Sequence, residues 1–216
     1  MNTWRRIARS VLRAVLGLLF RIRLDGAVPA NGPYLLIANH QGWADAFLLI
    51  ALLPAEPRIH FIADRTATMT VWWKRTLLRS LGVVVPVARD GTSERGAMAA
   101  ALRLLAQGDV VAIFPEGRVA RTEICDLAPF ARGVGYLALK AGVPVLPVWL
   151  QGTAELYLGR ALTARVGDLV PAPMGPVTKE TTRQVAAYLH DALARVAVPW
   201  SEPIGPRRLR WLTHLF

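Results

Sequence analysis

The sequence holds one cysteine, Cys125, among 216 residues. That excludes an intramolecular disulfide framework and any cysteine-based zinc cluster, and it fits a reducing compartment. Lysine is nearly as scarce, limited to Lys74, Lys140 and Lys179, so arginine carries almost all of the positive charge. Acidic residues number 15 against 26 basic ones, a net charge of +11. No apolar run approaches the ~18–20 residues of a membrane-spanning helix. The N-terminal run Ala14–Phe20 stops at Arg21, which also does not read as a cleaved signal peptide. A Walker A loop and a G-x-S-x-G elbow are both missing, so phosphate-loop NTPase and serine-hydrolase readings lose their main support. The four histidines, His40, His60, His190 and His214, show no ligand spacing, and no metal is expected.

What is present reads as a folded chain. Hydrophobic residues make up 53% and charged residues only 19%, the opposite of a disordered composition. The length suits one domain, large enough to bury its own core. The basic balance, with a mean hydropathy of +0.33, points to an anionic membrane surface or a phosphorylated substrate rather than to nucleic acid. Residues 3–23 read as an amphipathic helix: Arg5, Arg6, Arg9, Arg13, Arg21 and Arg23 fall on one side, and Trp4, Ile7, Val11, Val15, Leu18 and Ile22 on the other, with Leu16 and Phe20 as exceptions. A basic face beside an aromatic-aliphatic one is the pattern of an interfacial anchor; the competing expectation is a surface helix packed on the domain.

Downstream, short apolar runs alternate with helical patterns, which predicts α/β. Strands are expected at Tyr34–Ala38, Arg58–Ala63, Val83–Val87, Val110–Phe114, Val143–Leu150 and Arg165–Val170. Helices are expected at Ala44–Leu53, Thr70–Leu81, from Thr92 or Ser93 to Gln107, near Phe130–Ala141 and at Thr178–Val196. The predicted fold is a central mixed sheet flanked by helices, with an N-terminal amphipathic membrane-associating helix. Its parts are that helix (residues 1–25), a main domain (26–200) and a basic, aromatic tail (201–216) that is either a second interfacial contact or a frayed end.

Chemistry concentrates where predicted strands end. Asn39-His40-Gln41-Gly42-Trp43-Ala44-Asp45 follows the first strand and enters a helix. Histidine removes a proton from an alcohol near neutral pH when a carboxylate on its other ring nitrogen fixes the tautomer. A strand-to-helix turn folds the His40–Asp45 spacing back so that the two side chains meet. Phe114-Pro115-Glu116-Gly117-Arg118 follows another strand, where turn N–H groups and an arginine fork suit an anion. There Glu116 would contact an acceptor hydroxyl or hold Arg118. Val85-Pro86-Val87-Ala88-Arg89 ends a third strand on a basic residue that, alone, would be an ordinary solvated arginine. Other signals carry less. Gly133-Val134-Gly135 resembles a dinucleotide fingerprint but lacks a preceding strand and a following acid, and reads as a close-packed helix start. His60 lies in an apolar strand and reads as core or edge. Cys125, between Glu123 and Asp126, has no electropositive activator. Trp72 and Trp73, beside Lys74 and Arg75, read as an interfacial belt, a ligand wall or ordinary packing.

Taken in order, His40 with Asp45, Gly82 to Arg89, Phe114–Gly117 and Val145-Leu146-Pro147-Val148 resemble the four motif blocks of the glycerolipid acyltransferases of the 1-acylglycerol-3-phosphate acyltransferase family, over roughly residues 30–155. The resemblance implies that His40 is the general base on an acceptor hydroxyl and that Asp45 orients it. It further implies that Arg89 binds the acceptor phosphate, that Glu116, Gly117 and Arg118 shape the acceptor site, and that Val145–Val148 line the acyl-donor side. The implied partners are a lysophospholipid acceptor, an acyl-CoA or acyl carrier protein thioester donor and an anionic membrane surface, with no metal or bound cofactor and no nucleic acid. The implied location is the cytoplasmic face of the cell membrane. Two positions depart from the pattern: Arg118 follows Gly117 directly, where many members carry Glu-Gly-Thr-Arg, and Ala88 replaces an acidic residue. They leave the headgroup open among lysophosphatidate, a lysophosphatidylethanolamine-type lipid and a lyso-ornithine lipid. A non-catalytic basic membrane-binding module is the reading from a different class.

Overall fold

The structure, a computed structural model, describes residues 3–64, 84–87, 92–123, 126–202 and 204–214. Among the described residues, seven strands form one sheet in the order β1-β7-β6-β2-β5-β3-β4. They are β1 (Arg21–Asp25), β2 (Tyr34–Ala38), β3 (Ile59–Asp64), β4 (Val84–Val87), β5 (Val110–Ile113), β6 (Val145–Gln151) and β7 (Ala161–Val166). The strands β6, β2, β5, β3 and β4 run parallel; β7 pairs antiparallel with β6, and β1 lies parallel to β7. The described helices are α1 (Thr3–Leu19), α2 (Ala44–Leu52), α3 (Thr92–Ala106), α4 (Arg132–Ala141) and α5 (Lys179–Ala194).

Parallel strands covered on both faces read as unbroken apolar runs, and β2 is buried along its whole length. Its side chains alternate between two cores. Tyr34, Leu36 and Ala38 face a layer that includes Leu12, Leu16 and Phe20 and the residues of α2. Leu35 and Ile37 face Ala101 and Leu105 of α3, Val134 and Leu137 of α4, and Leu189 and Leu193 of α5. The result is a three-layer sandwich with a mixed central sheet. Because α2 leaves β2 toward one face and α4 follows β5 onto the other, the carboxyl ends of these neighbouring strands form a topological switch point, where open α/β sheets leave a crevice. In open α/β sheets this is where ligands bind.

Several expectations shift. The helix expected through residue 23 ends at Leu19, and residues 21–25 form β1 instead, paired with β7. Arg21-Ile22-Arg23-Leu24 alternates with period two, which suits an edge strand. The first helix packs on the domain through one face, as one of its two expectations has it. Leu12 and Leu16 bury in the core, while Trp4, Ile7, Val11, Val15 and Leu18 remain exposed. The strand expected at Arg165–Val170 lies earlier, at Ala161–Val166, where alternate residues are buried; Val170 keeps only an isolated bridge to Val145. Gly135 starts a close-packed helix as expected: a Cβ there would lie 2.0 Å from the Thr182 carbonyl oxygen of α5. The helix expected at Thr70–Leu81, the tryptophans Trp72 and Trp73, and Cys125 lie outside the described residues.

The tail is docked rather than frayed. Leu212, in a short 3-10 turn at Arg210–His214, is buried in the α1/α2 core. Its carbonyl accepts the Trp43 indole N–H at 3.1 Å.

Candidate active site

Asn39 extends β2 beyond its last ladder pair. Its side-chain amide donates to the Leu150 carbonyl at 2.9 Å and its Oδ1 accepts the Leu150 N–H at 2.6 Å, a side-chain substitute for strand pairing with β6. That lock sets the start of the turn bearing His40. Gly42 in the same turn must be glycine, because a Cβ would meet the Thr153 carbonyl oxygen at 2.3 Å. The Thr153 hydroxyl donates to Gln41 Oε1 at 3.0 Å and ties the turn to the loop after β6.

Asp45, in the first turn of α2, is fully buried. Its Oδ2 accepts three N–H groups: His40 Nδ1 at 2.6 Å, the Gln41 amide at 2.7 Å and the Gly42 amide at 2.9 Å. A carboxylate is an acceptor only, so the short contact puts the imidazole proton on Nδ1 and the lone pair on Nε2. The His40 side chain is 24% exposed, enough for Nε2 to meet a substrate from the crevice. Phe114 holds the ring plane, stacking on it with centroids 4.2 Å apart and an interplanar angle of 15°. Phe61 of β3 backs Phe114 at 6.2 Å.

The Phe114–Gly117 turn approaches from β5. Gly117, at φ +66°, takes a left-handed conformation that closes it. Both Glu116 oxygens serve backbone donors: Oε1 accepts the His40 amide at 3.0 Å and Oε2 the Ala128 amide at 3.2 Å. The His40 carbonyl in turn accepts the Ala120 N–H at 2.7 Å. Glu116 is therefore a strut across the two motif turns. Replacing it with alanine frees two N–H groups and is expected to lower stability by about 2 kcal/mol and to depress kcat. A strut leaves the KM for the acceptor near its parent value, whereas a selective rise in that KM would identify Glu116 as a substrate ligand.

The same loop presents Arg118 and Arg121, both exposed, the latter at φ +54°. Arg89 lies outside the described residues, just beyond β4. Thus His40, Asp45, Glu116 and Gly117 come together, and Arg118 sits on the rim of the same turn. His60 instead pairs with Asp109 at 2.9 Å, with Asp109 just before the amino end of β5.

Some supporting residues carried no sequence signal. Arg160 is buried, with its Nη2 2.9 Å from Glu123 Oε1, its Nη1 2.9 Å from Glu202 Oε1 and its Nε donating to the Gly152 carbonyl at 2.7 Å. Tyr157 and Trp200 flank the guanidinium at 5.0 and 4.9 Å. Burial alone would lower the Arg160 pKa, but Glu123 and Glu202 hold it above the ordinary arginine value. Glu123 also accepts the Gly152 and Ala154 amides at 2.8 and 3.0 Å, fixing the loop on which Gln41 rests. Partners 37 positions apart leave no periodicity to read.

A family model described as Acyltransferase matches residues 20–151. The chain is 32% identical over 167 residues to a 1-acyl-sn-glycerol-3-phosphate acyltransferase of Chlamydomonas reinhardtii, covering 76% of this chain and 43% of that protein. It is also 32% identical over 143 residues to the human 1-acyl-sn-glycerol-3-phosphate acyltransferase beta, covering 65% of this chain and 49% of that protein. The chain thus spans less than half the length of these two curated relatives. Its fold is similar to the crystal structure of the 1-acyl-sn-glycerophosphate acyltransferase of Thermotoga maritima, with a TM-score of 0.67 at 22% identity, covering 92% of this chain and 81% of that one.

Proposed function

The chain belongs to the acyltransferase family, and from that premise we propose that it transfers a fatty acyl chain from an acyl thioester to the free hydroxyl of a lysophospholipid, 1-acylglycerol-3-phosphate first among them. The observation that carries this reading is His40, oriented by Asp45 and Phe114, whose Nε2 carries the ring's lone pair beside the carboxyl ends of β2 and β5. His40 Nε2 takes the hydroxyl proton as the acceptor oxygen attacks the thioester carbonyl. The tetrahedral intermediate then expels the thiolate of CoA or acyl carrier protein, which recovers the proton from Nε2. No covalent acyl-enzyme is needed, because the base activates the acceptor directly. Arg118, with Arg89 beyond β4, supplies the cationic side for the acceptor phosphate, and the arginine fork suits phosphate oxygens. The names of the relatives favour lysophosphatidate as that acceptor.

Under this reading the protein works at the cytoplasmic face of the cell membrane. The exposed Trp4, Ile7, Val11, Val15 and Leu18 side chains of α1 enter an anionic bilayer and bring the crevice to its amphiphilic acceptor. The test offers purified protein a panel of lysolipids (lysophosphatidate, lysophosphatidylethanolamine, lyso-ornithine lipid) with acyl-CoA and acyl carrier protein donors, products being read by mass. Diacylated phosphatidate as the main product is expected. Preference for lysophosphatidylethanolamine or lyso-ornithine lipid would overturn the headgroup assignment, and no product from any pair would overturn the transfer reading.

A further inference from the structure

Three distant chain segments meet at one surface. The Gly159 amide donates to the Leu19 carbonyl at the end of α1 (2.7 Å), and the Leu158 amide donates to the Arg208 carbonyl in the tail (2.8 Å). Each segment presents an uncovered apolar side chain there: Leu18, 82% exposed, Leu158, and Leu209 with Trp211. Leu209 adopts φ +57°, a left-handed conformation costly for a bulky residue, and its side chain is still left at the surface. Meanwhile Leu212 anchors the same turn in the core. Local strain with the apolar side chain outside is what an apolar binding partner would repay.

We infer that this composite surface, made by the tail turn, the loop after β6 and the end of α1, is a second bilayer contact, and that its occupant is an anionic lipid membrane. Exposed Arg207, Arg208 and Arg210 flank Leu209 and Trp211 in the chain, and exposed Arg21 follows the end of α1. Arg207 and Arg210 also pair with Glu155, which holds them over the loop. Such a rim attracts lipid phosphates. It disfavours a second copy of the chain, because a two-fold contact would set arginines against arginines. The turn also touches the catalytic strand-to-helix segment, since Trp43, between His40 and Asp45, hydrogen-bonds the Leu212 carbonyl. The surface would thus set how the crevice meets the membrane, in addition to the α1 stripe. The inference rests on the bilayer part of the proposed function, and vesicle partition reads it without any turnover.

The experiment compares full-length protein with Leu209→Asn/Trp211→Gln and with Trp4→Gln/Val11→Gln by co-sedimentation with phosphatidylcholine vesicles, with and without phosphatidylglycerol. Asparagine tolerates the left-handed conformation, so the tail variant is expected to fold. Losing two interfacial apolar side chains should weaken partition into anionic vesicles about tenfold. Turnover on vesicle-borne acceptor should fall in step, while turnover on a short-chain soluble acceptor stays at the parent level. Parent-like binding of the tail variant, with binding lost only in the α1 variant, would overturn the second contact and leave the anchor standing. Equal binding to both vesicle types, insensitive to salt, would overturn the anionic partner. A change confined to oligomeric state on gel filtration would make a second copy the occupant and overturn the inference.

Discussion

His40→Ala is expected to lower kcat by about a thousandfold to ten-thousandfold, the upper range for loss of a positioned general base. The loss should appear equally in kcat/KM, because the imidazole acts on the transition state rather than on substrate affinity. The substitution isolates the side chain well. The His40 amide keeps its bond to Glu116 Oε1 and its carbonyl keeps the Ala120 N–H. Asp45 Oδ2 keeps the Gln41 and Gly42 amides. What disappears is the ring, with its Nδ1 bond to Asp45 Oδ2, worth about 1.5–3 kcal/mol as a bond to a charged group, and its stack on Phe114, worth about 0.5–1.5 kcal/mol, so a folded protein with a lower thermal midpoint is anticipated. Vesicle binding should not change, since the exposed stripe of α1 lies on another element. Turnover at the parent rate would remove His40 as the base, and with it the transfer mechanism.

The sequence made the central strands legible because each is apolar on both faces: Tyr34–Ala38 and Val145–Gln151 are buried throughout. It made the His40–Asp45 pair legible because both members lie in one strand-to-helix turn, five residues apart and 2.6 Å in space. The edge was harder. Arg21–Asp25 continues a basic, apolar helix in sequence, and only pairing with β7, some 140 residues later in the chain, makes it a strand. The role of Glu116 was hidden for a related reason. A carboxylate beside Gly117 and Arg118 reads as a ligand for substrate until the two backbone amides that occupy it are seen, one of them 76 positions away. Arg160 shows the same limit more strongly, as a surface residue by type that is buried by partners from three separate segments. The tail lay between: its Arg and Trp composition suggested an interface, but Leu212 was indistinguishable from the exposed Leu209 until one pointed into the core and the other outward.

Asp45→Asn is expected to cost at least about tenfold in kcat and to destabilise the fold, and the geometry says why neither amide orientation escapes. With the Asn carbonyl in place of Oδ2, the Gln41 and Gly42 amides stay satisfied and His40 keeps its proton on Nδ1. The amide nitrogen then occupies the Oδ1 position, which is buried with no partner among the described residues, and an unpaired donor there costs about 1–3 kcal/mol. The imidazolium formed during proton transfer also faces a neutral oxygen. Losing a charged hydrogen-bond partner removes about 1.5–3 kcal/mol, or roughly ten- to hundredfold in rate. With the amide reversed, its NH2 group confronts two backbone N–H groups and donates to His40 Nδ1. That moves the ring proton to Nε2 and removes the base altogether, a loss of about ten-thousandfold where a triad histidine is held in the wrong tautomer. The two outcomes separate experimentally: the first gives a moderate rate loss with a lowered denaturation midpoint, the second a rate as low as that of His40→Ala. A variant with parent-like kcat would show that the carboxylate takes no part in orienting the ring. Catalysis would then have to be sought among the arginines of the neighbouring turns.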